Sequence, residues 1–387
     1  MKSIYCLNKI APIGLDKLDR NEYKILNEND NPDAILVRSA VMHEMKFEEN
    51  LLAIARAGAG VNNIPIDRCT EKGIVVFNTP GANANGVKEL AVCALLLASR
   101  DIVGGINWSE SLAGTDGVAK AVEAGKSKFA GCEIMGKTLG IIGLGAIGGM
   151  VANVAVHLGM EVLGYDPFLS VDSAWNINHH VIKAASFDEI FANSDYITLH
   201  VPATADTKNM IRAETIAKMK DGVRIINLSR ADLVNIKDLK AALESGKIAS
   251  YVTDFPTEES IGTKGIINIP HLGASTNESE DNCAVMACLQ LDDFLKYGNI
   301  QNSVNFPNVS MPKSGDIRIC VFHSNIPTMI SQITSILSSL GVNIENMINK
   351  SKGNAAYTVV DVTGSIPDDT AEKLNAINGV SRVRIID

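Results

Sequence analysis

Two periodicities alternate along the chain. Short apolar runs, rich in Val and Ile, are separated by longer stretches in which apolar residues return every three or four positions. The first pattern reads as strands and the second as helices with one buried face. Ala34–Val37, Leu52–Ala55 and Ile74–Phe77 are runs of the first kind, the last bounded by Gly73 and the turn Thr79-Pro80-Gly81. Val87–Ser99 predicts a helix so apolar that it must be buried against a large surface. From Gly104 to Gly136 the pattern is weak and reads as a link to the next unit. Regular alternation then resumes. Leu139–Ile142, Glu161–Tyr165, Tyr196–His200, Val223–Leu228, Ser250–Asp254 and Ile266–Ile269 are candidate strands with helical segments between most of them, the order of a doubly wound parallel sheet. The Asn235–Leu243 helix shows both ends, with Asn235 as N-cap, Asp238 in the first turn and Gly246 just beyond.

Ser275–Tyr297 predicts a long helix, and the strip Gly298–Gly315, with two prolines, reads as an interdomain linker. The remainder, Asp316–Asp387, reads as a separate unit. Its strands are Ile317–Phe322, Val342–Asn349, Ala355–Thr363 and Ser381–Ile386, and its helices are Pro327–Leu340 and Pro367–Ile377. The order βαββαβ is ferredoxin-like.

Composition narrows the class. At about 150 residues per domain, 387 residues suggest two or three domains. Hydrophobic residues make up 46% and charged residues 20%, as in a folded globular protein rather than a disordered one. The net charge of −9 disfavours nucleic acid as the main partner, since a phosphate backbone demands clustered cations. Seven scattered cysteines with no CxxC pair argue against a zinc site or a disulfide framework and suit a reducing cytoplasm. Thr138–Met160 has 23 residues without Asp, Glu, Lys or Arg, long enough for a bilayer. Its six glycines break any single helix, so it reads as strand, turn and buried helix, with no membrane partner. MKSIYCLNKI at the start lacks the apolar stretch of a signal peptide.

That uncharged stretch carries the first chemistry. Leu139–Ile142 runs into Gly143-Leu144-Gly145-Ala146-Ile147-Gly148, a G-x-G-x-x-G turn opening a helix, and the next strand ends in Asp166. Gly143 permits the tight turn, Gly145 lets backbone approach a pyrophosphate, and Gly148 lets the helix sit on the sheet, with Ala146 and Ile147 at the helix N-terminus. Asp166 is spaced to accept hydrogen bonds from an adenosine ribose and to repel a 2′-phosphate, which favours NAD over NADP.

Three more segments end predicted strands: Ile225-Ile226-Asn227-Leu228-Ser229-Arg230, Val252-Thr253-Asp254-Phe255-Pro256-Thr257-Glu258, and Ile269-Pro270-His271-Leu272-Gly273-Ala274-Ser275-Thr276. With the glycine turn, with Arg56-Ala57-Gly58-Ala59-Gly60-Val61-Asn62-Asn63 and with Asn78-Thr79-Pro80, they resemble the D-isomer-specific 2-hydroxyacid dehydrogenases over residues 30 to 300. The resemblance implies hydride transfer from a small 2-hydroxy acid to NAD. It implies His271 as general acid/base, Glu258 as its carboxylate partner and Arg230 as the clamp on the substrate carboxylate. Asp254 would meet the nicotinamide end, and Leu228, Ser229, Gly273 and Ala274 would line the cofactor. Two departures stand out. Ala231 follows the arginine where the family has Gly, and the loop after Asp254 is one residue short, which leaves Glu259 as the alternative partner.

The C-terminal segment resembles ACT regulatory domains, which implies an L-serine effector held between paired subunits by His323, Asn325 and Asn343. Thr328 stands where a Gly is usual. A serine-regulated member of the family implies a phosphorylated substrate, with Arg38, Ser39, Arg56 and Gly58 as further contacts and Lys126 or Lys128 reaching from a neighbouring subunit of a homodimer or homotetramer. The expected architecture is therefore α/β throughout. A flavodoxin-like substrate domain takes residues 1–98 and 275–305, a Rossmann-type domain 99–274 and a ferredoxin-like ACT domain 316–387. A hydroxypyruvate or glyoxylate reductase and a non-catalytic NAD-sensing corepressor remain the alternatives.

Overall fold

The computed structural model describes residues 1–387, which form two compact units, Met1–Asn83 with Asn277–Asp387, and Ala84–Thr276. In the first unit, β1 (Lys2–Cys6), β2 (Tyr23–Leu26), β3 (Ala34–Val37), β4 (Ala53–Arg56) and β5 (Val75–Phe77) make a parallel sheet in the order β2-β1-β3-β4-β5. That order is flavodoxin-like. β3 is buried at every position because both faces are covered, which is why it reads as an unbroken apolar run. The helix Asn277–Tyr297 covers one face, and its Ala284, Ala287 and Leu291 share a core with Leu36, Ala55 and Phe77.

The second unit holds β6 (Thr138–Ile142), β7 (Glu161–Tyr165), β8 (Ile182–Lys183), β9 (Tyr196–Leu199), β10 (Val223–Asn227), β11 (Ile248–Thr253) and β12 (Ile266–Asn268). They form one parallel sheet in the order β12-β11-β10-β9-β6-β7-β8. The chain reverses direction of growth between β6 and β9, the switch point at which such sheets bind ligands. Strand residues alternate between two cores. Ile141 and Ile226 pack with the helices Ala84–Ser99 and Ala146–His157, while Ile142 and Ile225 pack with Phe187–Asn193 and Ile236–Glu244. No helix is long and apolar enough to cross a membrane. The weakly patterned 104–136 stretch contains the helix Val118–Gly125 and most of Ile102–Glu110, the latter with no buried residue.

β13 (Ile317–Ser324), β14 (Asn343–Lys352), β15 (Ala355–Thr363) and β16 (Val380–Ile386) form an antiparallel sheet ordered β14-β15-β13-β16, with helices Met329–Ser339 and Thr370–Asn375. This is the expected βαββαβ arrangement, but it is not a separate body. One face packs on its own helices through Ile319, Val321, Val360 and Leu374. The other face joins the core of the first sheet through a run of rings. Phe77–Phe294 centroids are 5.6 Å apart, Phe294–Phe322 6.3 Å, Phe306–Phe322 5.1 Å and Phe322–Tyr357 4.5 Å. The strip 298–315 is likewise no loose linker. Ile300, Phe306, Val309 and Met311 are buried in the same core, and Ile300 bridges Val309. Its prolines mark turns, and its apolar positions decide where it goes.

Polar groups lock this junction. Arg318 and Asp361, both fully buried, meet in a bidentate pair at 2.7 and 2.8 Å, and Arg318 Nη1 donates to Tyr297 O at 2.7 Å. Tyr357 donates to Gly298 O at 2.6 Å, and Arg384 donates to the carbonyls of Phe294 and Leu295. These carbonyls end the Asn277–Tyr297 helix, where no intrahelical donor remains for the last of them and cations are favoured.

Candidate functional site

The glycine turn forms as its residue types require. Gly143 has φ +91°, and a Cβ there would lie 2.4 Å from His200 O. A Cβ on Gly148 would lie 1.9 Å from Gly143 O, so the helix can sit this close only without one. At Gly145 the position of a Cβ is open space, the opening a pyrophosphate needs at the N-terminus of Ala146–His157, where Ala146 and Ile147 present free backbone N–H groups. Asp166 accepts from Leu144 N and Phe168 N, both at 2.9 Å, which fixes the carboxylate at the end of β7. Each oxygen keeps a further lone pair for ribose hydroxyls.

One residue at this turn escaped the sequence reading. His200, at the end of β9, takes part through Nε2 in a 3.0 Å contact with Thr198 Oγ1, while its Nδ1 is buried without a partner. Burial pushes its pKa down to about 4, so the imidazole is neutral, while the main-chain carbonyl of His200 backs Gly143. A strand ending in His-Val-Pro beside the glycine strand was the available signal.

The carboxyl ends of β10, β11 and the segment after β12 converge on the second cluster. Asn227 is fully buried. Its Nδ2 donates to Arg230 O at 2.9 Å and its Oδ1 accepts from Ser229 N at 3.2 Å, while Ser229 Oγ donates to Leu199 O at 2.6 Å. This network holds the Leu228–Arg230 turn and leaves the Arg230 guanidinium exposed. His271 Nδ1 lies 3.0 Å from Asp254 Oδ2; the ring is more than half exposed, whereas Asp254 is 1% exposed. The adjoining Asp254 carboxylate raises the pKa of His271, against partial burial and the charge of Arg230. Phe255 packs beside the ring, centroids 4.8 Å apart.

The structure overturns the expectation of a Glu258 partner. The carboxylate on the His271 ring is Asp254, not Glu258 or Glu259. With the loop one residue short, Glu258 and Glu259 are exposed and line a separate hollow with Lys208 and Asp232. Asp254 lies beside His271 and Gly273. Both its oxygens are buried without a hydrogen bond of good geometry, Oδ2 having only the His271 ring close by, and a Cβ on Gly273 would come within 3.5 Å of Oδ2. The carboxamide N–H of a nicotinamide is the type of donor that this carboxylate lacks. The residues present thus fit NAD at both ends, and Ala274 is half-buried beside them.

In the first unit, Arg38 and Ser39 follow β3 and Arg56 ends β4. Backbone N–H groups of Arg38, Ser39 and Ala40 all donate to Asn8 Oδ1 at 3.0 to 3.2 Å. Arg56 Nε donates to Arg38 O at 2.9 Å and Nη1 to Gly60 O, wrapping the loop that contains Gly58. Arg38 Nη2 meets Glu280 Oε1 at 2.5 Å. Lys126 and Lys128 lie in a short 3-10 helix of the other unit, with Lys126 on Glu123.

The three effector candidates are not gathered within one chain. His323 is buried, with Nδ1 2.8 Å from Ser324 O and Nε2 2.8 Å from Thr358 Oγ1. Asn325 donates to Gly353 O at 3.2 Å. Asn343 opens β14 opposite Thr363, whereas His323 pairs with Ala356, seven residues earlier along β15, so Asn343 lies at the other end of the sheet.

Comparison with known proteins supports the family and the NAD cofactor. Residues 106–275 match the model of the D-isomer specific 2-hydroxyacid dehydrogenase NAD binding domain. A D-3-phosphoglycerate dehydrogenase of Synechocystis sp. is 32% identical over 386 residues, covering 96% of this chain and 67% of the relative. One from Escherichia coli is 33% identical over 357 residues, 87% of this chain and 82% of the relative. Among solved structures, an NAD+-bound 3-phosphoglycerate dehydrogenase of Entamoeba histolytica aligns with TM-score 0.61 and 26% identity over 79% of this chain and 98% of that one.

Proposed function

Since the chain belongs to the D-isomer-specific 2-hydroxyacid dehydrogenases and is an NAD-dependent oxidoreductase, we propose that it oxidises D-3-phosphoglycerate to 3-phosphohydroxypyruvate, the first step of phosphorylated L-serine biosynthesis. The observation that carries the reading is the exposed His271 imidazole held through Nδ1 by a buried carboxylate, with Arg230 close enough for its charge to act on the ring.

When bound, NAD supplies the ring that takes the hydrogen on the substrate's C2 as hydride. The protein handles the rest. Arg230 grips the carboxylate with its planar fork and orients the hydroxyl. Nε2 of His271, the nitrogen Asp254 leaves free, accepts the hydroxyl proton. Asp254 fixes the tautomer and stabilises the imidazolium that forms, as a positioning residue. Arg38, Ser39, Arg56 and Gly58 receive the phosphate end. In this reading serine acts as end-product inhibitor at the C-terminal ACT-like sheet. Because Asn343 is far from His323 and Asn325, that site needs a second copy of the chain, consistent with a homodimer or homotetramer in the cytoplasm.

A second reading is a glyoxylate or hydroxypyruvate reductase, since a glyoxylate reductase structure aligns equally well, TM-score 0.62 at 26% identity. NADH formation across a panel of D-2-hydroxy acids with and without phosphate, each with and without L-serine, decides. A kcat/KM for D-3-phosphoglycerate well above that for glycerate and lactate supports the proposal; preference for the unphosphorylated acids replaces it with the second reading.

A further inference from the structure

A hollow of about 690 Å³ in the first unit takes no part in the chemistry above. It lies where the end of β14 meets the strip after Tyr297, and its polar lining is Asn78, Asn302, Asn308, Lys350, Ser351 and Lys352, with a serine behind them and no carboxylate. In a chain of net charge −9 such a lining is unusual. Lys350 and Lys352, two residues apart on β14, present their side chains on one face. Lys352 Nζ donates to Ser303 O at 2.8 Å, and its surroundings hold its pKa below the ordinary lysine value by desolvation, with no acid near enough to oppose it. The side chains of Lys350, Asn302 and Asn308 make no hydrogen bond or ion pair within the protein. Asn302 is fixed in left-handed backbone, φ +55°.

Two ammonium groups, one partly desolvated, together with unused amide donors and no negative charge are complementary to a small anion. We propose that this hollow is an anion site taking a phosphate- or carboxylate-bearing small molecule, distinct from the residues assigned to substrate. Ser303 bridges Phe77 at the end of β5, so the occupant would tie β14 to the turn that begins at Asn78.

The test is thermal melting of the full chain titrated with inorganic phosphate in one arm and acetate in the other, each against sodium chloride of equal ionic strength. A saturable rise in Tm is expected with at least one of them, and the responding arm names the anion class. K350Q should weaken the apparent affinity about tenfold, the loss of one charge-assisted contact, and K350Q/K352Q should abolish the rise. R38A should leave it intact. Lys352 also holds Ser303, so K350Q, whose side chain supports nothing in the fold, carries the decision. No rise beyond the chloride control, a rise untouched in K350Q, or one lost in R38A overturns the proposal.

Discussion

At the residue scale, the informative contact is the one between His271 and Asp254. A general base in the oxidation direction must be neutral, so kcat/KM should climb with pH through the His271 pKa and level off above it. Asp254 sets that inflection above the ordinary imidazole value of about 6.5. D254N removes the charge that raises it, so the inflection should move to lower pH and turnover should fall, by about 10² to 10⁴ if general-base catalysis is lost with it. E258Q should leave the inflection where it is. A pH profile that shifts in E258Q and not in D254N reverses the assignment. His271 and Arg230 were legible because each follows an apolar run within a run of familiar residue types. The identity of the carboxylate was not, because a one-residue difference in loop length decides which acid is buried, and burial is a property of the fold. Glu280 offers a second case. Its contact with Arg38 is solvent-exposed and worth up to about 1 kcal/mol. E280Q frees the guanidinium for a phosphate and should lower KM for a phosphorylated substrate about two- to fivefold with kcat unchanged, in steady-state kinetics. An equal fall in KM for unphosphorylated acids would remove Arg38 from phosphate recognition.

At the element scale, local signals and long-range ones separate cleanly. Asn235 was readable as an N-cap, and its side chain accepts from Lys237 N and Asp238 N; N235A should cost about 1 kcal/mol in urea unfolding. β6, β9, β10 and β11 were readable because strands buried on both faces are near-continuous apolar runs. β7 and β12, only partly buried, were readable from their Val, Leu and Ile residues, and the two-residue β8 was not. β1 and β2 were not, since Lys2, Tyr23 and Lys24 interrupt the pattern and Ile4 is the one buried residue of β1. The C-terminus of the Asn277–Tyr297 helix shows no cap of its own in sequence. Its donors come from strands that follow it by 20 to 90 residues, Arg318 and Arg384, and no local window connects them. R384M keeps the volume and removes the donor from Leu295 O, so it should lower unfolding free energy by about 1–3 kcal/mol. Denaturation at unchanged m-value is the check; an unchanged midpoint would mean that solvent replaces the arginine.

At the scale of the whole molecule, the question is whether the C-terminal sheet is a detachable regulator. Its sequence reads as a self-sufficient βαββαβ unit, and the strip before it, with its glycines and prolines, reads as a tether. Both inferences use local pattern alone. The structure buries Phe322, Tyr357 and Cys320 in the core that contains Phe77, Ala287 and Phe294, and it satisfies Arg318 with both Asp361 and Tyr297 O. Removing residues 316–387 therefore uncovers a contiguous aromatic surface on the first unit, the type of patch a soluble monomer rarely tolerates. It also strips the helix that follows the His271 segment of its terminal donors. A chain ending at residue 315 should consequently be insoluble or lack a cooperative thermal transition. A detachable regulatory domain makes the opposite prediction: a soluble truncated enzyme, melting within a few degrees of the full chain and turning over at its normal rate, with only its response to serine lost. Soluble yield, melting and NADH formation of that truncation separate the two. If the truncation fails to fold while R384M in the full chain remains active but less stable, any serine signal must travel through the shared core and not across a flexible hinge.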